Sequence, residues 1–136
     1  MTARYLADKS ALARVLVPIV GERLGHLIQT GQVATCAVIK LEVLYSARNL
    51  VDYEVTQMRL CSLIDVPITP LVMNRALAVQ YRLARTGHHR LAIADLMIAA
   101  AAESADLAVL HYDADFERIA AVTGQPHEWV APRGTL

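Results

Sequence analysis

Short apolar runs alternate along the chain with longer stretches in which apolar residues recur every three to four positions. Tyr5-Leu6-Ala7 is one brief run, read as a buried strand that ends at Asp8. Ser10 is placed to cap a helix from Ala11, and Pro18 breaks or restarts that helix near Val17. The segment through Leu24, Leu27 and Ile28 closes at Gly31, a suitable C-terminal glycine. Residues 32–35 predict a short strand, 37–48 and 51–63 predict helices, and Val66-Pro67-Ile68 predicts an extended piece. Pro70 at a first helical position opens a long helix to about Thr86, closed by Gly87. Then come an apolar helix over 94–104, a buried strand over 107–110, a helix over 115–122 stopped by Gly124, and a last strand at Glu128-Trp129-Val130. Strands alternating with helices in this way predict an α/β fold: a short parallel sheet flanked by helices as a three-layer sandwich.

Composition narrows the class. A chain of 136 residues fits one domain spanning 1–136. With 55% hydrophobic and 19% charged residues it is too apolar to be disordered. No apolar run approaches the roughly 20 residues a membrane helix needs. Arg4, Asp8, Lys9 and Arg14 interrupt the first apolar stretch, which argues against a signal peptide. The expectation is a cytoplasmic protein without a membrane partner. Cys36 and Cys61 both stand among apolar neighbours and read as two buried thiols without a disulfide. No Cys/His spacing suggests zinc. Lys+Arg and Asp+Glu balance at 13 each, so nucleic-acid binding needs a local patch rather than bulk charge.

Four acids sit where acids are costly. Asp8 ends the apolar run YLA, Glu42 lies mid-helix in CAVIKLEVLY, Asp95 interrupts LAIADLMIAAAA, and Asp113 follows AVLHY. An isolated buried carboxylate takes a partner, a proton or a metal. Asp8 and Asp113 lie just past strands, where open parallel sheets gather their ligands. Carboxylates ~4 Å apart repel by about 4 kcal/mol per pair at an effective dielectric of 20. A cluster of four therefore calls for cations, and oxygen-only ligands suit Mg²⁺ or Mn²⁺. Paired hard ions support phosphodiester hydrolysis. Each acid also has a structural reading: Asp8 as an Asx-turn residue beside Ser10, Asp95 as a helix cap, Asp113 or Asp115 as the cap of the next helix, and Glu42 as a salt-bridge partner, for example of Arg48.

In order and spacing these segments resemble the PIN-domain ribonucleases, and in particular the VapC toxins of bacterial toxin–antitoxin pairs. The resemblance runs from YLADKSAL to the end of the chain. Asp8-Lys9-Ser10 stands for the family's opening Asp-Thr-Ser or Asp-Asn-Ser, LEVLYSAR with Glu42 for its helical glutamate, IADLMIAAAAE with Asp95 for its third acid, and Asp113-Ala114-Asp115-Phe116 for its fourth. The resemblance implies a PIN fold and an endoribonuclease. It implies Mg²⁺ or Mn²⁺ on Asp8, Glu42, Asp95 and Asp113, with Asp115 as a supporting or capping residue that could share the metal. It further implies structured RNA, transfer RNA among others, as substrate. A VapB-like antitoxin and a homodimer complete the expected assembly.

Two departures stand out. Lys9 replaces Thr or Asn, and its ammonium could pair with Asp8 and weaken the metal site or else contact a phosphate. His111 stands where many relatives carry Thr, and reads as a half-buried structural histidine or as a hydrogen-bonding group in the site. A disabled metal site would leave a non-catalytic module that binds RNA or a partner. A receiver-like phosphoacceptor domain needs a late lysine, yet the only lysines are Lys9 and Lys40. A flap-type DNA nuclease needs extra gripping segments for which the chain is short.

Arg75, Arg82 and Arg85 fall on roughly one side of their helix, with His88, His89 and Arg90 in the next loop. They read as a phosphate-steering rim that, with Lys9, contacts RNA, or as a solvated helix face. Aromatic residues are few, which speaks against a base-stacking platform. The mean hydropathy of +0.36 agrees with surface covered by a partner or a second copy.

Overall fold

Three buried residues, Tyr5–Ala7 (β1), form the middle strand of the sheet, with two strands on either side. β1 pairs in parallel with β2 (Val33–Cys36) on one side and with β4 (Ala108–His111) on the other. β3 (Ile64–Val66) pairs with β2, and β5 (His127–Trp129) pairs with β4, both in parallel. The order is β3-β2-β1-β4-β5. The computed structural model describes residues 2–136; Met1, the first residue of the expected 1–136 domain, lies outside them.

Strand side chains alternate between faces, so each strand feeds two cores. Leu6, Ala34, Cys36 and Val109 share one core with α5 (Pro70–Ala84), α6 (Ile93–Ser104) and α7 (Ala114–Thr123). Tyr5, Ala7, Val33 and Leu110 share the other with α1 (Lys9–Leu12) and α2 (Pro18–Gln29). The expected three-layer arrangement is therefore present. In α6 the run Ala99–Ala102 is buried, and its small side chains let that helix lie close to the sheet. α3 (Ala37–Tyr45) and α4 (Leu50–Cys61) link β2 to β3.

Several boundaries differ from expectation for local reasons. α1 begins at Lys9 because Asp8, not Ser10, is its cap: the Asp8 carboxylate accepts from the Ser10 amide at 2.9 Å. Pro18 begins a new helix, as read, at its first turn. α3 stops at Tyr45, short of Arg48, and Asn49 caps α4 by accepting from the Asp52 amide at 2.9 Å. β3 covers Ile64–Val66 and ends before Pro67, which has no N–H for a ladder; β3 lies at the sheet edge. Cys36 is buried, but Cys61 is exposed at the end of α4, so only one of the two thiols is interior; both are free. Among the described residues no helix is long and apolar enough to cross a membrane.

From β1 the chain builds outward to β2 and β3, then returns to the middle to lay down β4 and β5. The strand order thus reverses between β1 and β4. In open parallel sheets the crevice outside the carboxyl ends of the strands at such a point is where ligands bind.

Candidate active site

Asp8 and Asp113 follow the two strands that flank the reversal. The Asp8 amide donates to the Leu110 carbonyl at 2.9 Å, which fastens the end of β1 to β4. Asp113 caps α7, its carboxylate accepting from the Asp115 amide at 2.9 Å. Asp95 sits in the first turn of α6, where Ala92 holds the cap position, so it is not a cap. Glu42 lies mid-way along α3 and makes no ion pair with Arg48, which pairs with Asp52 instead. These four acids and Asp115 line one cavity of about 360 Å³ together with Lys9, Ser10, Ala13, Arg14, Ala92 and Tyr112.

Within it, carboxylate oxygens of Asp95, Asp113 and Asp115 lie within 4.8 Å of one another. Asp8 and Glu42 form the remaining acidic wall. Asp115 therefore stands together with Asp95 and Asp113 in the cavity wall. It also has an arginine at 3.6 Å, Arg118.

Burial and like charge show in the acidities. Asp95 is 6% exposed, and its pKa is pushed up to about 8, chiefly by burial and then by Asp8, Asp113 and Asp115. Asp8 is also raised, by burial, with hydrogen bonds from Ser10 opposing and the Asp113 charge adding. Glu42 is raised by partial burial and by Asp8, while Lys9 opposes. Lys9 makes no ion pair with Asp8 among the described residues. One oxygen of Asp8, Oδ1, is buried and has no hydrogen-bond partner. A buried, orphaned carboxylate oxygen costs free energy unless something positive completes it.

His111 is fully buried rather than half-buried. Its Nδ1 accepts from the Asp113 amide at 3.1 Å, and its Nε2 meets His127 Nδ1 at 2.9 Å. With Nδ1 accepting, the neutral ring carries its proton on Nε2 and donates it to His127. Burial, then the neighbouring His127, depresses the His111 pKa to about 4. The ring holds the backbone at Asp113 without entering the cavity.

The predicted basic rim is divided. Arg75 donates to Glu103 at 2.6 Å, at the far end of α6, about 12 Å along the helix from Asp95 at 1.5 Å per residue. It is thus tied down away from the cavity. α5 and α6 run antiparallel, with Gln80 and Ile93 walling one hollow, so exposed Arg82, Arg85 and Arg90 lie toward the Asp95 end, though outside the cavity wall. Sequence reasoning missed three wall residues. Ser10 accepts the Tyr112 amide at 2.8 Å, and the Arg14 guanidinium lies over the Tyr112 ring at 4.6 Å. Ser10 stands in the Asp8-Lys9-Ser10 motif, though without a site role there; the sequence signal for Arg14 and Tyr112 is nearness to Asp8 and Asp113.

The model of the PIN domain matches residues 5–122. The chain is 42% identical over 135 residues to Ribonuclease VapC18 of Mycobacterium tuberculosis, covering 97% of this chain and 98% of that one. It is 44% identical over 137 residues to Ribonuclease VapC21 of the same species, covering 99% of each. In shape it is similar to the DNA-bound VapBC from Salmonella typhimurium, with a TM-score of 0.75 at 19% identity, over 95% of this chain and 99% of that one. VapBC-1 from nontypeable Haemophilus influenzae also gives 0.75, at 13% identity, over 96% and 98%. The chain belongs to the PIN-domain family and, within it, to the VapC ribonucleases.

Proposed function

We propose that this chain is a metal-dependent endoribonuclease toxin of the VapC type, cutting phosphodiester bonds in structured RNA, a transfer or ribosomal RNA, and neutralised by a VapB-like antitoxin. The observation that carries the reading is the orphaned, buried Oδ1 of Asp8 in a cavity it shares with four other carboxylates. That donor set is all oxygen, which fits Mg²⁺ or Mn²⁺ better than a softer metal. Asp8, Glu42, Asp95 and Asp113 would hold the ion, with Asp115 near enough to Asp95 and Asp113 to share it. When bound, such an ion activates a water and neutralises charge building on the phosphate.

The chain's own residues prepare the site. Burial and the neighbouring acids raise the Asp95 pKa to about 8, so this carboxyl would have to give up a proton to hold a cation. The Ser10 and Asp115 amides fix the carboxylates of Asp8 and Asp113 before any ligand arrives. Lys9, beside Glu42, places an ammonium in the wall within reach of an entering phosphate, and Arg82, Arg85 and Arg90 steer RNA from outside.

Leu16, Leu41, Tyr45, Met58 and Leu71 are largely exposed, and such apolar surface favours coverage by the antitoxin and by a second copy in a homodimer within a toxin–antitoxin hetero-oligomer. The protein would act in the cytoplasm, as one domain. Lys9 in the wall also favours a second reading, a PIN-like module that binds RNA or a partner without cutting. Induced expression of the wild type and of Asp95→Asn, with growth and RNA ends followed, separates the two. Growth arrest with Mg²⁺-dependent cuts from the wild type alone supports the nuclease; intact RNA from both proteins, with no Mn²⁺ binding, supports the module.

A further inference from the structure

Two cations line the carboxylate cavity, Lys9 and Arg14. Arg23, Arg48, Arg75, Arg118 and Arg133 each have a carboxylate within 4 Å; among the described residues Arg14 has none, although five carboxylates share its cavity. It is held by other means. One guanidinium nitrogen donates to the Ser10 carbonyl at 2.7 Å, and the guanidinium carbon lies 4.6 Å from the Tyr112 ring centroid. That ring is itself fixed. The Tyr112 amide donates to Ser10 Oγ, the hydroxyl accepts from the Leu136 amide at 2.9 Å, and Trp129 packs edge-on at 5.2 Å. The turn carrying Arg14 is held close to α2, since a Cβ on Gly21 would overlap the Val15 carbonyl oxygen.

Arginine presents several N–H donors in a planar fork that matches a phosphate, and an aromatic face restrains that plane while leaving its edges open. An arginine already immobilised loses little further freedom when an anion arrives. We propose that Arg14, stacked on Tyr112, binds a backbone phosphate of the RNA entering the cavity. This rests on the endoribonuclease reading and names a contact of that same site.

The test measures binding of unfractionated transfer RNA by the full chain in the Asp95→Asn background, where cutting is blocked, across a salt series. Arg14→Ala is expected to weaken binding about tenfold and to lower the slope of log affinity against log salt by about 0.7–0.9, the share of one phosphate contact. Arg14→Lys should keep the slope and lose part of the affinity, because an ammonium has no plane to stack. In the otherwise wild-type chain Arg14→Ala should raise KM with kcat nearly unchanged, while its circular dichroism and melting stay as before. Unchanged RNA affinity and slope in Arg14→Ala overturn the proposal. So does a loss confined to antitoxin binding, which would assign Arg14 to an acidic protein segment. Asp95-dependent cleavage by the wild type is read separately, so failure of the nuclease reading and failure of the Arg14 contact are distinct results.

Discussion

Two groups of acids in this chain differ in the company they keep. On the outer surface Asp52, Asp65, Glu103, Glu117 and Glu128 each have a lysine or arginine within 4 Å. In the cavity Asp8, Glu42, Asp95 and Asp113 have none among the described residues, and Asp115 has one at 3.6 Å. The outer pairs are partly exposed and compensated in place. The cavity acids crowd together, and crowding plus burial pushes Asp95 to about 8. Acids gathered this closely, with so few bases beside them, favour a cation among them.

If that contrast is right, substitutions in the two populations act in opposite directions. Asp95→Asn, or the amide at Asp8 or Asp113, should lower RNA cleavage by more than about 100-fold, beyond the loss usual for outer-shell changes at a metal centre. The same Asp95→Asn should raise the melting temperature of the metal-free protein at pH 8 by about 3–5 °C, an effect of roughly 1 kcal/mol. Unfolding of this variant would make Asp95 a structural acid. Next in size is the response to metal. Mn²⁺ at 100 times its dissociation constant should stabilise the wild type by about 2.7 kcal/mol and should barely move Asp95→Asn; equal shifts in thermal melts would place the ion elsewhere.

The pH dependence follows from Asp95. Its native pKa, about 8, lies above the ordinary value of 3.8. Between those limits the native state holds a proton that the unfolded chain has released, so metal-free stability should fall as pH rises through this window and level off above it. Mn²⁺ affinity, measured by titration calorimetry, should rise over the same range because the ion displaces the proton. Asp95→Asn should flatten both profiles. Lys9→Thr should tighten Mn²⁺ binding several-fold by removing a competing ammonium; weaker binding would show instead that Lys9 supports the site. Smallest of all, Glu103→Gln should cost less than about 1 kcal/mol, as exposed pairs do.

The architecture was legible in the sequence because short apolar runs mark the buried strands and period-3.6 patterns mark the helices, although β3 at Ile64–Val66 was read two residues late as the extended piece 66–68. Boundaries were less legible where a side chain chose between two jobs. Asp8 serves both as a cap and as a cavity acid, which moves the start of α1 back to Lys9, and Ser10 is thereby freed to hold Tyr112. That the cavity acids converge could be proposed from strand ends for Asp8 and Asp113 and from an oddly polar helix position for Glu42. That Asp115 joins the tight group, that Arg75 turns to Glu103, and that Arg14 reaches the cavity wall depend on how α1, α6 and α7 approach one another. No periodicity encodes such contacts between distant segments.

The central position of β1 has a kinetic side. Asp8 hangs from the middle strand of the five, and its own amide is bonded to Leu110. β3 and β5 each have a single neighbour and can fray without disturbing it. Local openings are cheapest at such edges and dearest at the sheet centre. Hydrogen exchange at the amides of Leu6 and Asp8 should therefore be among the slowest in the molecule, close to the rate of complete unfolding. The acidic centre would then keep its shape through every smaller fluctuation, including those that loosen the two edges of the sheet.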